Sequence, residues 1–261
     1  MRALALASAM LALVPVLAAA QPAPAGAPAA SGVDYLTRFA FRFGAEHLSS
    51  DDPLYVWDAN YGGEVDLVDY RVGRAIFYAN YQVILGEQFH AFDPNQGNYI
   101  LGIRVSARLH VLEAALVFHH QSRHLSDREK QQPVDWNMLG ARLSRSFVWP
   151  RLVLDARADV RGVVQRSFVD YEWEIDAGAR GTIPLSPRLA VVSEGAVRRL
   201  GVDGSAGRDA QTGARGEAGI RLSGRAAAVE LFLAAERRID PYPVEFGTTS
   251  WFSAGFRFVY P

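Results

Sequence analysis

The chain has 261 residues and almost balanced charge, with 27 Lys and Arg residues, 28 Asp and Glu residues and a formal net charge of −1. This balance argues against nucleic-acid binding, which requires a basic surface, and against an acidic tail. The chain has no cysteine, so disulfide bonds and a thiol nucleophile are excluded.

The N-terminal segment has the features of a signal peptide. Arg2 precedes an apolar run, and the small residues Ala18 and Ala20 fit a cleavage site. We therefore predict a signal peptide over residues 1–20 and export from the cytoplasm. Residues 21–32 are rich in Pro, Ala and Gly and have no periodicity, which predicts a flexible leader.

The remaining segment, 33–261, alternates apolar and polar residues along most of its length. It contains no stretch of roughly 18 apolar residues, the length that a membrane-spanning helix needs. A period of two is typical of β-strands with one apolar face. Export without disulfide bonds suits an outer-membrane barrel, because a closed ladder of backbone hydrogen bonds holds such a barrel together.

The alternation predicts about twelve strands. The first lies over 35–46, with Tyr35, Phe39 and Phe43 on one face. The next stretch is long and polar, HLSSDDPLYVWDANYGGE, and predicts an outer loop before a weakly patterned strand near 63–71. The other predicted strands are 74–86, 99–109, 113–122, 137–144, 152–161, 171–181, 188–199, 213–222, 226–237 and 249–260.

The two faces of these strands predict the orientation of the wall. Apolar residues should point outward, among them Phe39, Leu154, Ile175 and Leu231. Charges of both signs should point inward, among them Arg157, Glu174 and Glu230. A soluble β-sandwich also alternates, but it leaves its charged face in solvent, whereas mixed charges suit a narrow lumen filled with ion pairs. We predict an all-β fold: one closed antiparallel transmembrane β-barrel of about twelve strands in the bacterial outer membrane.

Polar residues interrupt the apolar face on two neighbouring strands. Counting in twos from Ala114, His120 and Ser122 share the apolar face of the first strand, and Asn137 is in phase with Leu139 on the second. An ionisable group on a lipid-facing surface is costly, so it indicates function. Antiparallel pairing places Asn137 directly opposite His120 or on the diagonal, and both registers allow contact.

A serine, a histidine and an orienting group suit nucleophilic catalysis. A serine hydroxyl is a weak nucleophile until a neighbouring base takes its proton, and the base needs a third group to hold its ring. A neutral amide orients the ring without placing a second charge in lipid.

The run HQS ending at Ser122, the Ser-Asp pair at Asp127 and the Trp-Asn pair at Asn137 resemble the outer-membrane phospholipase A family. That family is a twelve-stranded barrel with a lipid-facing Ser-His-Asn triad, loop-bound calcium and activation by dimerisation. The resemblance implies that Ser122 is the nucleophile, His120 the base and Asn137 its orienting group. It also implies a phospholipid substrate, calcium as cofactor and a homodimer.

The sequence departs from that pattern after the serine. The family has Asn-Gly-Arg there and this chain has Arg123, His124 and Leu125, so the glycine amide that supports the oxyanion is missing. The run HxSxHLxD also resembles uncharacterised outer-membrane barrels, and the bare HxS resembles the lipid A deacylases, whose third member is acidic. Asp135, in phase with Asn137, fills that position in this alternative.

Hard oxygen donors at the loop ends predict a calcium site, with Asp127 and Asp170 as ligands and Glu129 nearby. The alternative for these carboxylates is a solvated outer loop. Three functions are therefore considered: a lipid acyl hydrolase, a passive pore or structural barrel, and a lipid A deacylase.

Further histidines and aromatic residues surround the motif. His119 points to the lumen by its phase, and His124 is assigned to the following loop. Trp136, Tyr171 and Trp173 are interpreted as part of an aromatic girdle at the membrane interface.

Overall fold

The computed structural model describes residues 32–126, 132–243 and 245–260. The predicted signal peptide, the leader up to residue 31, and the loop residues Asp127 and Glu129 lie outside the described residues. In the described ranges, no helix is long and apolar enough to cross a membrane.

Twelve antiparallel β-strands in the described part of the chain form one closed barrel, which confirms the predicted fold class. Each strand pairs with its neighbours in sequence, and β1 pairs with β12 from Phe41 opposite Tyr260 to Leu48 opposite Ser253. The strands are β1 (Asp34–Leu48), β2 (Trp57–Asp69), β3 (Arg74–Gly86), β4 (Asp93–Arg108), β5 (Glu113–Leu125), β6 (Val134–Trp149), β7 (Leu152–Ser167), β8 (Tyr171–Pro184), β9 (Leu189–Val202), β10 (Gln211–Ser223), β11 (Ala228–Ile239) and β12 (Thr248–Tyr260).

The alternation predicts correctly which side chains point outward. Phe39, Ile175 and Leu231 are exposed on the outer wall, whereas Glu174 and Glu230 are buried in the lumen. Leu154, in phase with the outward Val160, is half-buried. The wall is one sheet thick, so each strand separates an apolar outside from a polar inside.

Two strands begin six residues earlier than the sequence predicts, near 63 and at 99. β2 begins at Trp57 and β4 at Asp93, so the predicted long outer loop is mostly strand. These segments carry polar residues that point inward and bond to one another; Asp58, for example, accepts hydrogen bonds from Gln82 and Arg238. In the sequence, the polar residues of these strand segments are therefore difficult to distinguish from those of a loop.

Ion pairs fill the middle of the lumen. Glu230 has no exposed surface and accepts hydrogen bonds from Arg180 at 2.5 Å, Arg221 at 2.7 Å and Arg257 at 2.6 Å. Glu174 likewise pairs with two arginines. Such clusters remain buried only because each charge has partners.

An apolar cluster fills the lumen at the rim where the longer loops lie, the loop rim. It comprises Val134, Trp136, Met138, Tyr171, Leu200 and Ile239. Arg123 and Gln96 donate to the carbonyls of Asp240 and Pro241 and so hold the β11–β12 loop over this cluster. The girdle interpretation is wrong for Trp136 and Tyr171, because both are buried. Trp136 is on the inward phase of β6, and a shift in register between Tyr171 and Trp173 turns Tyr171 inward although it is in phase with the outward Ile175.

The ion-pair cluster at Glu230 yields a stability prediction. Glu230→Gln removes the charge that three guanidinium groups share, and we expect the free energy of unfolding to fall by about 3 kcal/mol. Urea unfolding of refolded protein in detergent measures this. Glu172→Gln, at an exposed position on β8, is the matched control and should change stability by less than about 0.5 kcal/mol. Equal stability of both variants would contradict the prediction.

Candidate functional site

Three polar side chains share the outer face of β5 near the loop rim. They are His120, Ser122 and His124, spaced two residues apart on a strand that extends to Leu125. On the neighbouring β6, Asn137 lies directly opposite His120 and Asp135 directly opposite Ser122. Of the two registers that the sequence allowed, the chain adopts the one with Asn137 directly opposite the histidine.

The imidazole of His120 is held by β6. Its Nδ1 lies 2.7 Å from Oδ1 of Asn137, while Nδ2 of Asn137 donates to Oε1 of Gln165 on β7. Gln165 Nε2 in turn donates to Asp135 Oδ1 at 3.1 Å and to Ser167 Oγ at 3.3 Å. A continuous chain of polar contacts thus connects β5, β6 and β7 on the outer wall.

The carboxylate of Asp135 determines which group donates and which accepts in each hydrogen bond of this network. An ionised carboxylate only accepts hydrogen bonds, so Gln165 presents its NH₂ to Asp135 and its carbonyl to Asn137. Asn137 then presents its own NH₂ to Gln165 and its carbonyl to His120. The proton therefore belongs on Nδ1 of His120, and Nε2 keeps its lone pair for another donor.

Gln165 is a residue that the sequence pattern misses. A shift in register occurs where Asn137 opposes Gln165 but Met138 opposes Val163, which makes Val164 the extra residue of a β-bulge. Strict alternation from Val160 gives odd positions to the lumen, whereas the bulge turns Gln165 outward beside Asn137. No sequence signal in this stretch indicates the bulge.

His124 also differs from its predicted position. It lies on β5 rather than in the following loop, and its Nε2 is 3.2 Å from Oγ of Ser122. The edge-on ring of Tyr99 packs against it, with centroids 5.2 Å apart. Continuing the two-residue phase from His120 would have found it.

His119 points into the lumen as its phase predicts. It is buried, its Nδ1 lies 3.0 Å from the hydroxyl of Tyr78, and Arg161 is also within hydrogen-bond distance. It therefore belongs to the lumen network and not to the outer-wall site.

Asp170 does not fit the expected calcium ligand. Both of its oxygens accept hydrogen bonds from Arg208, at 2.8 and 2.6 Å, and Arg208 also donates to Asp240. Burial lowers the pKa of Arg208, but these bonds outweigh it and raise the pKa further above its usual range, so the guanidinium keeps its charge. Among the described residues, no three His, Asp or Glu side chains form a metal-binding group. Asp127 lies outside the described residues.

The sequence matches no family model and no curated protein. Solved structures match the fold. Outer membrane phospholipase A from Escherichia coli is 10% identical with a TM-score of 0.52, over 87% of this chain and 98% of that one. The Salmonella typhi phospholipase dimer with bound calcium is 10% identical with a TM-score of 0.52, over 87% and 91%. LpxR from Salmonella typhimurium is 10% identical with a TM-score of 0.48, over 84% and 99%.

At these identities the comparisons show the fold alone. The similar structures are bacterial outer-membrane proteins. The chain is therefore a bacterial outer-membrane barrel, as predicted. Its outer wall faces the bilayer, and the contacts of His120 lie on that wall.

The hydrogen bonds from Asp135 to His120 lead to a prediction about the tautomer of His120 that can be tested without an activity assay. In the wild type, ¹⁵N NMR of labelled histidine should show His120 protonated on Nδ1. Gln165→Leu should produce a mixture of tautomers, because Asn137 is then free to rotate its amide. His110, exposed in the turn between β4 and β5, serves as the internal control. An unchanged His120 signal in the variant would show that Gln165 does not fix Asn137.

Proposed function

We propose that the chain is an outer-membrane lipid acyl-ester hydrolase, similar to phospholipase A, with Ser122 as nucleophile, His120 as base and Asn137 as the orienting group. One observation carries the proposal: His120 is hydrogen-bonded to Asn137 beside Ser122 on the bilayer-facing wall. A purely structural barrel has no need of a histidine held in one tautomer in contact with lipid, where polar groups are costly.

The chemistry follows from the tautomer. With the proton on Nδ1, Nε2 of His120 can accept the proton of Ser122 as the oxygen attacks the acyl carbon. His120 and Ser122 are same-face neighbours about 7 Å apart along the strand, a distance that the two side chains span. Asn137 then stabilises the imidazolium by accepting a hydrogen bond from its Nδ1–H at Oδ1.

A second candidate, lipid A deacylation with Asp135 as the third member, rests on the position of Asp135 directly opposite Ser122. Asp135 contacts His120 only through Gln165 and Asn137 in the present arrangement. This favours Asn137 as the direct partner of the base, with Asp135 acting at a distance. Both candidates cleave acyl esters, and the site near the loop rim faces the outer leaflet.

Two further proposals concern dimerisation of this chain and the binding of calcium. The similar Salmonella typhi enzyme is a dimer with bound calcium, so we propose a second copy of this chain as partner. Calcium would require Asp127 together with ligands other than Asp170, whose oxygens are bound by Arg208. No step of the chemistry above depends on the metal.

Single substitutions test the triad. Ser122→Ala should abolish hydrolysis of phospholipid and of lipid A esters by refolded protein, and His120→Ala should match it, because nucleophile and base act as a unit. Asn137→Ala should lower kcat less severely, because Asn137 only orients the ring. Activity should rise with pH, because the imidazole must be neutral to accept a proton.

A control substitution and a folding assay accompany these variants. Ser146→Ala, at the turn end of β6, should retain activity, and every variant should keep the heat-modifiable migration of a folded barrel. If the folded wild type hydrolyses neither lipid class, the proposal fails. If Asp135→Ala abolishes hydrolysis while Asn137→Ala does not, Asp135 is the third catalytic member, as in the deacylase candidate, and Asn137 is not.

The passive-pore alternative is tested by conductance. Ion pairs and an apolar cluster fill much of the lumen, leaving a charged cavity of about 740 Å³. We expect no steady ohmic steps in planar bilayers, where a porin measured in parallel gives them. Stable conductance from the wild type would support the pore.

A further inference from the structure

The hydroxyl of Ser122 lies between two imidazoles of its own strand. His120 precedes it by two residues and His124 follows it by two, all on the outer face of β5. Nε2 of His124 lies within hydrogen-bond distance of Oγ, at 3.2 Å. The triad accounts for His120 but gives no task to His124.

The tautomer of His120 determines what His124 can do. The lone pair on Nε2 of His120 requires a donor, and the Ser122 hydroxyl is that donor when the site is set for reaction. The serine proton is then directed toward His120, so the contact with His124 must be donated by the ring, from Nε2–H to Oγ. His124 is therefore positioned as a donor beside the reacting oxygen.

We infer that His124 is a catalytic residue that stabilises the oxyanion formed when Ser122 attacks an acyl ester; the inference rests on the proposed hydrolase function. A donor at the nucleophile can move to the carbonyl oxygen as negative charge develops there. Such donors act most strongly in a site from which water is excluded, and a bilayer-facing wall provides that environment.

The step balances as follows. Ser122 Oγ forms a bond to the acyl carbon while its proton passes to Nε2 of His120, and the carbonyl π electrons move to oxygen. The oxyanion accepts the Nε2–H bond of His124. The carbonyl then re-forms, the ester C–O bond breaks, and the leaving alkoxide takes the proton from His120. Water releases the acyl group from Ser122 by the same sequence.

The surroundings favour this assignment. Tyr99 lies opposite Ser122 on β4, and its ring packs edge-on against His124, which limits rotation of the imidazole. The residue after the serine is Arg123, which is buried and donates to the Asp240 carbonyl in the lumen, so its side chain is directed away from the acyl group. His124 is the next side chain of β5 on the reacting face.

Two substitutions separate a donor from a base. His124→Ala removes the donor and should lower kcat by about 10²–10³-fold with little change in KM. His124→Gln keeps an N–H donor but cannot act as a base, so it should retain activity within about tenfold of wild type and keep the wild-type rise with pH. His110→Gln is the matched control and should have no effect. Chelation of calcium should leave these ratios unchanged.

A binding measurement supplies a readout other than turnover. A trifluoromethyl ketone with a long alkyl chain forms a tetrahedral adduct with serine and so mimics the oxyanion. Its affinity should fall in His124→Ala by about the factor lost in kcat/KM, since a transition-state interaction is removed.

The contrary outcomes are distinct. If His124→Gln is as inactive as His124→Ala and loses the pH dependence, His124 is the base and the inference is overturned. It is also overturned if His124→Ala, shown to be folded by heat-modifiable migration, keeps wild-type kcat. Inactivity of the folded wild type overturns the proposed function itself, a result separate from either of these.

Discussion

The closed ladder of backbone hydrogen bonds is the constraint on which the rest of the molecule depends. In a bilayer every backbone donor and acceptor must be paired within the protein, and pairing of β1 with β12 leaves no free edge among the described strands. Closure fixes the tilt and pleat of every strand, so side chains alternate between lipid and lumen. This alternation is interrupted at a bulge. A polar group on the outer wall is consequently a deviation that requires its own explanation.

Much of this arrangement could be predicted from the sequence, and the failures have physical causes. Strands with regular register, such as β5 and β6, gave the correct faces, so the pairing of His120 with Asn137 was predictable. The starts of β2 and β4 were not, because polar residues that satisfy one another in a lumen resemble a loop. The outward position of Gln165 was not predictable either, since a bulge reverses the face on which it lies. No residue near the bulge indicates that the bulge is there.

The outer-wall site also shows how polarity is tolerated next to lipid. Amides carry the connection from Asp135 to His120, so the carboxylate lies nearer the loop rim while the ring contacts a neutral group. Each amide donates to one side and accepts from the other, which leaves few unsatisfied groups. A buried charge in contact with the ring would cost more in this environment.

The bulge at Val164 has a consequence for how such a site arises. If β7 paired with β6 without the bulge, Val164 would oppose Asn137, Gln165 would point to the lumen and Arg166 to the lipid. The same segment, unchanged in composition, would then belong to an ordinary wall. The difference between a wall that bears this set of polar contacts and one that lacks it is therefore a shift in strand register by one residue. Barrels of this kind can acquire or lose an outward-facing polar network by a change in register, without any substitution at the residues that form it.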